Sequence, residues 1–343
     1  MRRLTIKKLD KPIIGILLGD ASGIGPEIIA KAAAKGILSA HCYPLIIGDQ
    51  RVLGQGMAAS GVHFDYHAID DIKDMGWDKG IPVLDQKNQD PAEIIIGKVN
   101  PYCGKAVGEM VEIAIGLYQA GKIDGICYAP FNKAAMRTGG YDYESEHDLF
   151  VHCFHWTGFS GELNVVNQLW TSRVTSHIPI NEVSSHLSAK GILVAIQLLN
   201  QTIKRSGKSH PRIALAALNP HGGENGLCGR EEIEMILPAA EEARRLGVGM
   251  VGVYPADTIF IKAFKGEYDG VVTMFHDQGQ IALKLMEFDQ AVTVAGGLPV
   301  PITTPAHGTA FDIAGKGLAR ISSFGAALEL VCKMAKYDKG LVR

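Results

Sequence analysis

The stretch Asp269–Lys284 reads DGVVTMFHDQGQIALK, and its reading decides the fold class. Val271 and Val272 are β-branched and follow Asp269-Gly270, so the segment opens as a buried strand. It then breaks into His276-Asp277-Gln278-Gly279, with Lys284 close behind. An apolar strand that delivers polar groups at its carboxyl end is how open α/β sheets present ligands and catalytic groups. A polar surface turn is the competing reading. A second stretch of the same design weighs against it: the apolar run Ile213–Leu218 leads into Asn219-Pro220-His221-Gly222-Gly223-Glu224-Asn225-Gly226.

Strands and helices alternate on both sides of these stretches. Pro12–Leu18 reads as a buried strand, followed by the Gly-rich turn Gly19–Glu27 and a helix over Glu27–Lys35. That turn suits either a phosphate or a tight strand-to-helix connection, and its spacing fits neither GxGxxG nor GxxxxGK[ST]. Further strands are expected at Tyr43–Gly48, His63–Ala68, Ile81–Leu84, Ile123–Tyr128, Met250–Tyr254 and Ala291–Ala295. Asn164–Gln168 and Arg173–Ser176 read as a hairpin or neighbouring strands. Helices are expected at Arg51–Ser60, Gly104–Ala120, Leu149–Trp156, Ser185–Asn200, Arg230–Leu246 and Ser322–Ala335. Pro255–Thr258 reads as a polar strand exit. The alternation predicts a doubly wound α/β architecture.

With 343 residues, 47% of them hydrophobic, the chain can bury a large core, and its length suggests about two domains. The formal net charge of −2 is spread without a basic stripe, which argues against a nucleic-acid partner. Six cysteines without CxxC spacing read as free thiols of a reducing compartment. The basic start before Ile13–Leu18 could pass for a signal peptide, but the apolar run is short and bracketed by Asp10 and Asp20. No run approaches the ~20 apolar residues of a membrane span. A cytoplasmic protein that avoids membranes is the expectation.

Three of the twelve histidines, His177, His221 and His276, each follow an apolar strand. If the fold brings them together, three neutral imidazoles make a divalent-metal site with open positions for substrate oxygens. His41, His63, His67 and His210 read as surface or packing residues.

Six motifs then occur in order: GDASGIGPEI (Gly19–Ile28), NPHGGENG (Asn219–Gly226), PADT (Pro255–Thr258), HDQG (His276–Gly279), GLP (Gly297–Pro299) and HGTAFDIAG (His307–Gly315). Together they resemble the 4-hydroxythreonine-4-phosphate dehydrogenase family of vitamin B6 biosynthesis and its paralogues, over essentially the whole chain. The last motif is also similar to the adenosine-binding loop of isopropylmalate dehydrogenases. The resemblance implies two interleaved α/β domains with a central cleft, as in isocitrate and isopropylmalate dehydrogenases. The expected boundaries are 1–130 plus 300–343 for the cofactor domain and 131–299 for the metal, substrate and dimerisation domain. It implies a homodimer with the active site at the subunit interface. It implies NAD or NADP and one divalent metal (zinc, magnesium, manganese or cobalt) on His177, His221 and His276, the last from the partner. Asp257, Asp277 and Lys284 take catalytic positions. His147, Asp148, Lys284, Thr293 and Ile302 fall on substrate positions. Gly297, His307, Gly308, Thr309, Ala310 and Asp312 fall on cofactor positions. The implied reaction oxidises a secondary alcohol of a hydroxy acid, and the β-keto product loses carbon dioxide.

The chain departs from the family pattern at three places. His147 is followed by Asp148 where the family has His-Thr, the asparagine before GLP is Thr293, and the arginine after it is Ile302. Losing an arginine and gaining an aspartate weakens a phosphate site. A paralogue is therefore expected, acting on a phosphorylated hydroxy acid held differently or on an unphosphorylated diol acid such as an aromatic cis-dihydrodiol carboxylate. Two other readings compete: a metal-dependent lyase without NAD, and a catalytically silent binding or regulatory protein on the same scaffold.

Overall fold

A computed structural model describes residues 9–286 and 288–341. They form two compact α/β units, one from the described residues of Met1–Thr157 and Leu298–Arg343, the other from Gly158–Gly297. The chain thus leaves the first unit, builds the second, and returns.

The first unit holds six parallel strands: β1 (Ile13–Leu17), β2 (Tyr43–Gly48), β3 (Tyr66–Ile69), β4 (Ile81–Asp85), β5 (Gly125–Tyr128) and, far later, β12 (Ile302–Pro305). Their order is β3-β4-β2-β1-β5-β12. Parallel strands covered on both faces need continuous apolar runs. IIGIL, YPLIIG and GICY supply them, with nearly every residue buried. Helices Gly25–Ala34, Gln50–Ser60 and Pro101–Gln119 cross between strands, and Ser322–Asp338 packs Phe324, Leu328 and Val331 into the core.

The second unit holds β6 (Gly161–Val166), β7 (Leu169–Arg173), β8 (Ile213–Ala216), β9 (Met250–Tyr254), β10 (Gly270–Thr273) and β11 (Val292–Gly296), in the order β11-β6-β7-β10-β8-β9. β6 and β7 form an antiparallel hairpin, but Leu169–Arg173 ends where the expected second strand, Arg173–Ser176, would begin; β11 runs antiparallel to β6, and β7, β10, β8 and β9 are parallel. This sheet is therefore mixed. Its helix Ala189–Arg205 buries Ile192, Ile196, Leu199 and Ile203 along one stripe.

Several elements differ from expectation, each for a local reason. The helix expected over Ser185–Asn200 is Ala189–Arg205, because Ser188 caps it by accepting from Gly191 N at 3.1 Å. Ser184 instead donates to Glu231 Oε1 at 2.6 Å. Leu149–Trp156 shifts to Glu146–Cys153 under the Ser145 cap. Arg230–Leu246 contains a π-helical turn, Glu232–Ile236, before the α-helix Leu237–Arg245. Pro238 has no N–H to offer the preceding turn, so the ladder widens there. The polar exit at Pro255–Thr258 starts a helix, Ala256–Ala263. β12 lies outside the expected strands. Among the described residues, no helix is long and apolar enough to cross a membrane.

Candidate metal and substrate site

Three neighbouring parallel strands of the second unit, β7, β10 and β8, carry the three histidines past their carboxyl ends. His177 comes four residues after β7, His276 three after β10, and His221 five after β8. The first two meet: their ring centroids lie 5.8 Å apart at 44°. The segments that carry them stay zipped beyond the strands. Val174 N donates to Thr273 O (2.9 Å), and Thr175 donates to Met274 O through both N (3.1 Å) and Oγ1 (2.8 Å).

HDQG is not a turn. It is the first turn of a helix, His276–Leu285. Its residues divide the work. Asp277 Oδ1 lies 2.6 Å from His276 Nδ1. A carboxylate there fixes the proton on Nδ1 and leaves Nε2 with its lone pair outward. Gln278 accepts from Met274 N (2.7 Å) and donates to Ala217 O (2.7 Å), so it ties the end of β10 to the root of the His221 loop. Gly279 packs on Thr273.

The geometry fits a shared metal. With metal–nitrogen bonds of about 2.0–2.1 Å, each ring centroid sits about 3.2 Å from the ion, so two ligated imidazoles have centroids about 5–6 Å apart. The observed 5.8 Å lies in that range. Among the described residues, no three His, Cys, Asp or Glu side chains of one chain converge as a metal-holding group. His221 therefore does not join the pair within one chain. It is exposed, on a loop whose residues His221–Asn225 all have positive φ. That left-handed run is costly for His, Glu and Asn and needs outside support. Glu232, 3% exposed, supplies it: its Oε1 accepts from Leu218 N (2.9 Å) and Asn219 N (2.8 Å), and its Oε2 from Asn219 Nδ2 (2.9 Å). Glu231 Oε2 takes a second bond from Asn219 Nδ2 (2.7 Å), and the bonds from Ser184 and Asn219 hold its carboxyl below the usual range. Sequence reasoning missed both glutamates; their signal was acidic residues opening a helix next to NPHGGENG.

The other expected positions scatter. Asp257 is exposed in the first turn of Ala256–Ala263. Lys284 is exposed in the last turn of the His276 helix, eight residues and so about 12 Å of helix rise from His276. Thr293 Oγ1 accepts from Asn164 Nδ2 (3.1 Å). Asn164 Oδ1 in turn accepts from Gln280 (2.6 Å) and Arg173 (3.1 Å), and Arg173 pairs with Glu162 (2.8 Å). Arg173, which the sequence places at the start of a strand and without a role in the site, ends the strand that leads to His177. In the first unit, His147 is 8% exposed and Asp148 Oδ2 accepts from Ser145 Oγ at 2.7 Å. Ile302 has no exposed surface: it is core, not pocket lining.

Of the cofactor positions, Gly297 belongs to the second unit, where a Cβ would lie 2.3 Å from Phe159 O. His307, Gly308, Thr309, Ala310 and Asp312 lie together on an irregular loop of the first unit. Gly308 has open space where a side chain would be, and the Asp312 carboxylate is exposed. The loop thus offers bare backbone and an acceptor for nucleotide hydroxyls.

The Gly-rich turn has a backbone role. The N–H groups that would cradle a phosphate already donate within the protein: Asp20 N to Pro130 O (3.1 Å), Ser22 N to Asp20 Oδ1 (2.9 Å), Gly23 N to Asp20 O (3.0 Å) and Ile24 N to Thr309 O (3.1 Å). A Cβ at Gly23 would lie 2.8 Å from Thr309 Cβ.

Comparison with known proteins gives the family and the fold. The family described as pyridoxal phosphate biosynthetic protein PdxA matches residues 40–331. A 4-hydroxythreonine-4-phosphate dehydrogenase of Desulforapulum autotrophicum is 37% identical over 328 residues, 95% of this chain and 96% of that protein. The crystal structure of 4-hydroxythreonine-4-phosphate dehydrogenase from Klebsiella pneumoniae superposes with a TM-score of 0.84 at 33% identity, covering 96% of this chain and 99% of that one. A terephthalate 1,2-cis-dihydrodiol dehydrogenase from Burkholderia xenovorans LB400 follows with a TM-score of 0.66 at 26% identity, covering 94% and 98%.

Proposed function

The chain belongs to the family of the pyridoxal phosphate biosynthetic protein PdxA, and we propose that it is a divalent-metal- and NAD(P)-dependent dehydrogenase. Its substrate is a hydroxy acid whose secondary alcohol it oxidises. The observation that carries this reading is the His177–His276 pair with Asp277 behind it.

His177 and His276 would hold the metal through an imidazole nitrogen each, and Asp277 keeps the His276 ring in the tautomer that can bind. A cation held there supplies Lewis acidity at the reacting hydroxyl. Imidazole donors suit zinc and its transition-metal neighbours better than magnesium. A structural or catalytic site needs at least three protein ligands, so His221 completes the set, and the proposal includes a homodimer whose two chains share the ligands. The His307–Asp312 loop would hold the dinucleotide, whose nicotinamide would supply the hydride acceptor. Lys284 is the proton-transfer group, set at the far end of the His276 helix. Oxidation β to a carboxylate leaves a β-keto acid, which then loses carbon dioxide. Six free cysteines are in keeping with the cytoplasm.

The substrate positions favour a second reading of what is oxidised. Ile302 is buried, the Thr293 hydroxyl is engaged by Asn164, and Asp148 is acidic. None of the three offers a cation to a phosphate dianion. A cis-dihydrodiol carboxylate, the substrate class of the Burkholderia xenovorans enzyme, carries no phosphate that these positions would have to hold. The test is side-by-side turnover of 4-phosphohydroxy-L-threonine and a cis-dihydrodiol carboxylate with NAD and zinc, read as NADH and carbon dioxide formed. Turnover of the phosphorylated substrate alone removes the second reading. Product without NADH points to a lyase, and failure to bind either NAD or metal sinks the dehydrogenase.

A further inference from the structure

The loop 307–321 has no regular secondary structure, yet it is tied to one helix, Gly25–Ala34, by two side chains one turn apart. Glu27 Oε1 accepts from Gly315 N at 2.5 Å. Lys31 Nζ donates to Gly317 O at 2.6 Å and to Ala319 O at 2.9 Å. Residues four apart share a helix face, so both reach the same stretch of loop. Glu27 is 2% exposed and in the first turn of its helix, where the dipole favours a negative charge. It also lines, with Gln55, Ile96 and Gly315, a cavity of about 30 Å³. The other end of the loop is held by backbone: Ile24 N donates to Thr309 O, and Gly97, whose N donates to Ser22 O at 2.8 Å, sits against Phe311 O, where a Cβ would come within 2.9 Å.

We propose that Glu27 and Lys31 are positioning residues for the dinucleotide: neither touches it, and both hold the 307–319 loop in the shape that receives it. This rests on the cofactor reading above. Of the turn's N–H groups Ile24 N alone reaches the loop, the others bonding within the turn or to Pro130, so Ile24, Glu27 and Lys31 are what join the turn and its helix to the loop.

The test uses the full chain. NAD affinity is measured by calorimetry, and hydrogen exchange at residues 308–317 is measured without NAD, for wild type, Glu27→Ala, Glu27→Gln and Lys31→Met. Losing one charge-assisted bond of the clamp weakens NAD binding about tenfold in Glu27→Ala, with Lys31→Met somewhat less affected. Glu27→Gln keeps an acceptor for Gly315 N and recovers most of the affinity. Loop exchange speeds up in the same order, while metal affinity and the KM of the alcohol substrate stay put. If wild type binds NAD and the folded variants bind it equally well, the proposal is overturned. Unchanged loop exchange overturns the clamp itself, whether or not NAD binds. Wild type that binds no NAD, with loop exchange still responding to Glu27→Ala, defeats the cofactor reading and with it the role assigned to the clamp. Should Glu27→Ala not fold, Glu27→Gln and Lys31→Met decide.

Discussion

Removing the Asp277 carboxylate should loosen the metal without disturbing the fold. Its Oδ1 is 2.6 Å from His276 Nδ1, the length of a charge-assisted bond. Losing such a partner behind a metal-binding histidine costs about 10–100-fold in metal affinity. The Asp277 side chain is 71% exposed and that of His276 34%, so water screens the pair and the lower end applies. Asp277→Ala should therefore raise the zinc dissociation constant about tenfold, equivalent to about 1.4 kcal/mol. Asp277→Asn keeps an acceptor oxygen and should lose about threefold. His276→Ala, which removes a ligand, should lose far more. The assay is competition with a chromogenic chelator at fixed pH, paired with a denaturant melt. An exposed substitution away from the core should move stability by no more than about 0.5 kcal/mol. The reasoning is refuted if Asp277→Ala binds zinc like wild type. It is equally refuted if the loss matches that of His276→Ala, since the carboxylate would then be a ligand and not the partner that orients one.

Gln278→Ala removes two bonds that join the β10 and β8 exits and leaves Met274 N and Ala217 O without them; destabilisation of about 1–3 kcal/mol is expected in urea melts. Mixing chains that carry His221→Ala with chains that carry His276→Ala should restore metal binding and activity that neither has alone, whichever of the two residues comes from the second chain; no recovery would mean the ligands are not shared between chains. Asp269, at the opposite end of β10 from His276, gives the pH dependence. Burial alone would raise its carboxyl, but bonds from Arg212 and Lys208 outweigh that and hold it at about 2. A carboxyl depressed in the folded state stabilises above its unfolded value of about 3.9, by about 2 kcal/mol, and loses this as pH falls through about 2. Asp269→Asn should abolish that acid-side slope in melts between pH 2 and pH 5, with metal affinity unaffected.

Where apolar runs decide an element, sequence and structure coincide: β2 and β9 have the expected bounds, because YPLIIG and MVGVY end at residues that cannot extend them. Where a side chain decides, they part. The start of the His276 helix can pass for a turn because three polar residues and a glycine in a row carry no periodicity, and only the bonds of Asp277 and Gln278 reveal what holds it. β12 lies among Pro299, Pro301 and Pro305, which argue against a strand; it pairs with β5 through Ile302 and Thr303. The three strand-exit histidines are visible as a set, but the meeting of His177 and His276 is not, since only the order of strands in the sheet puts β10 beside β7 and no local spacing encodes that. Glu232 and Arg173 act through partners more than nine residues away or across a hairpin, beyond what a motif can show.

The return of the chain to its first unit also sets an order of assembly on the ribosome. Residues 158–297 are contiguous, so all six strands of the second sheet are available before β12 has been made. The first sheet must wait: Ile126 of β5 pairs with Ile302, a partner synthesised 176 residues later. Until then the apolar flank of β5 is an open edge in the nascent chain, the kind of surface that recruits chaperones or mispairs with a neighbour. Truncation just before β12 should thus yield a chain that keeps a finished second unit and aggregates through its first.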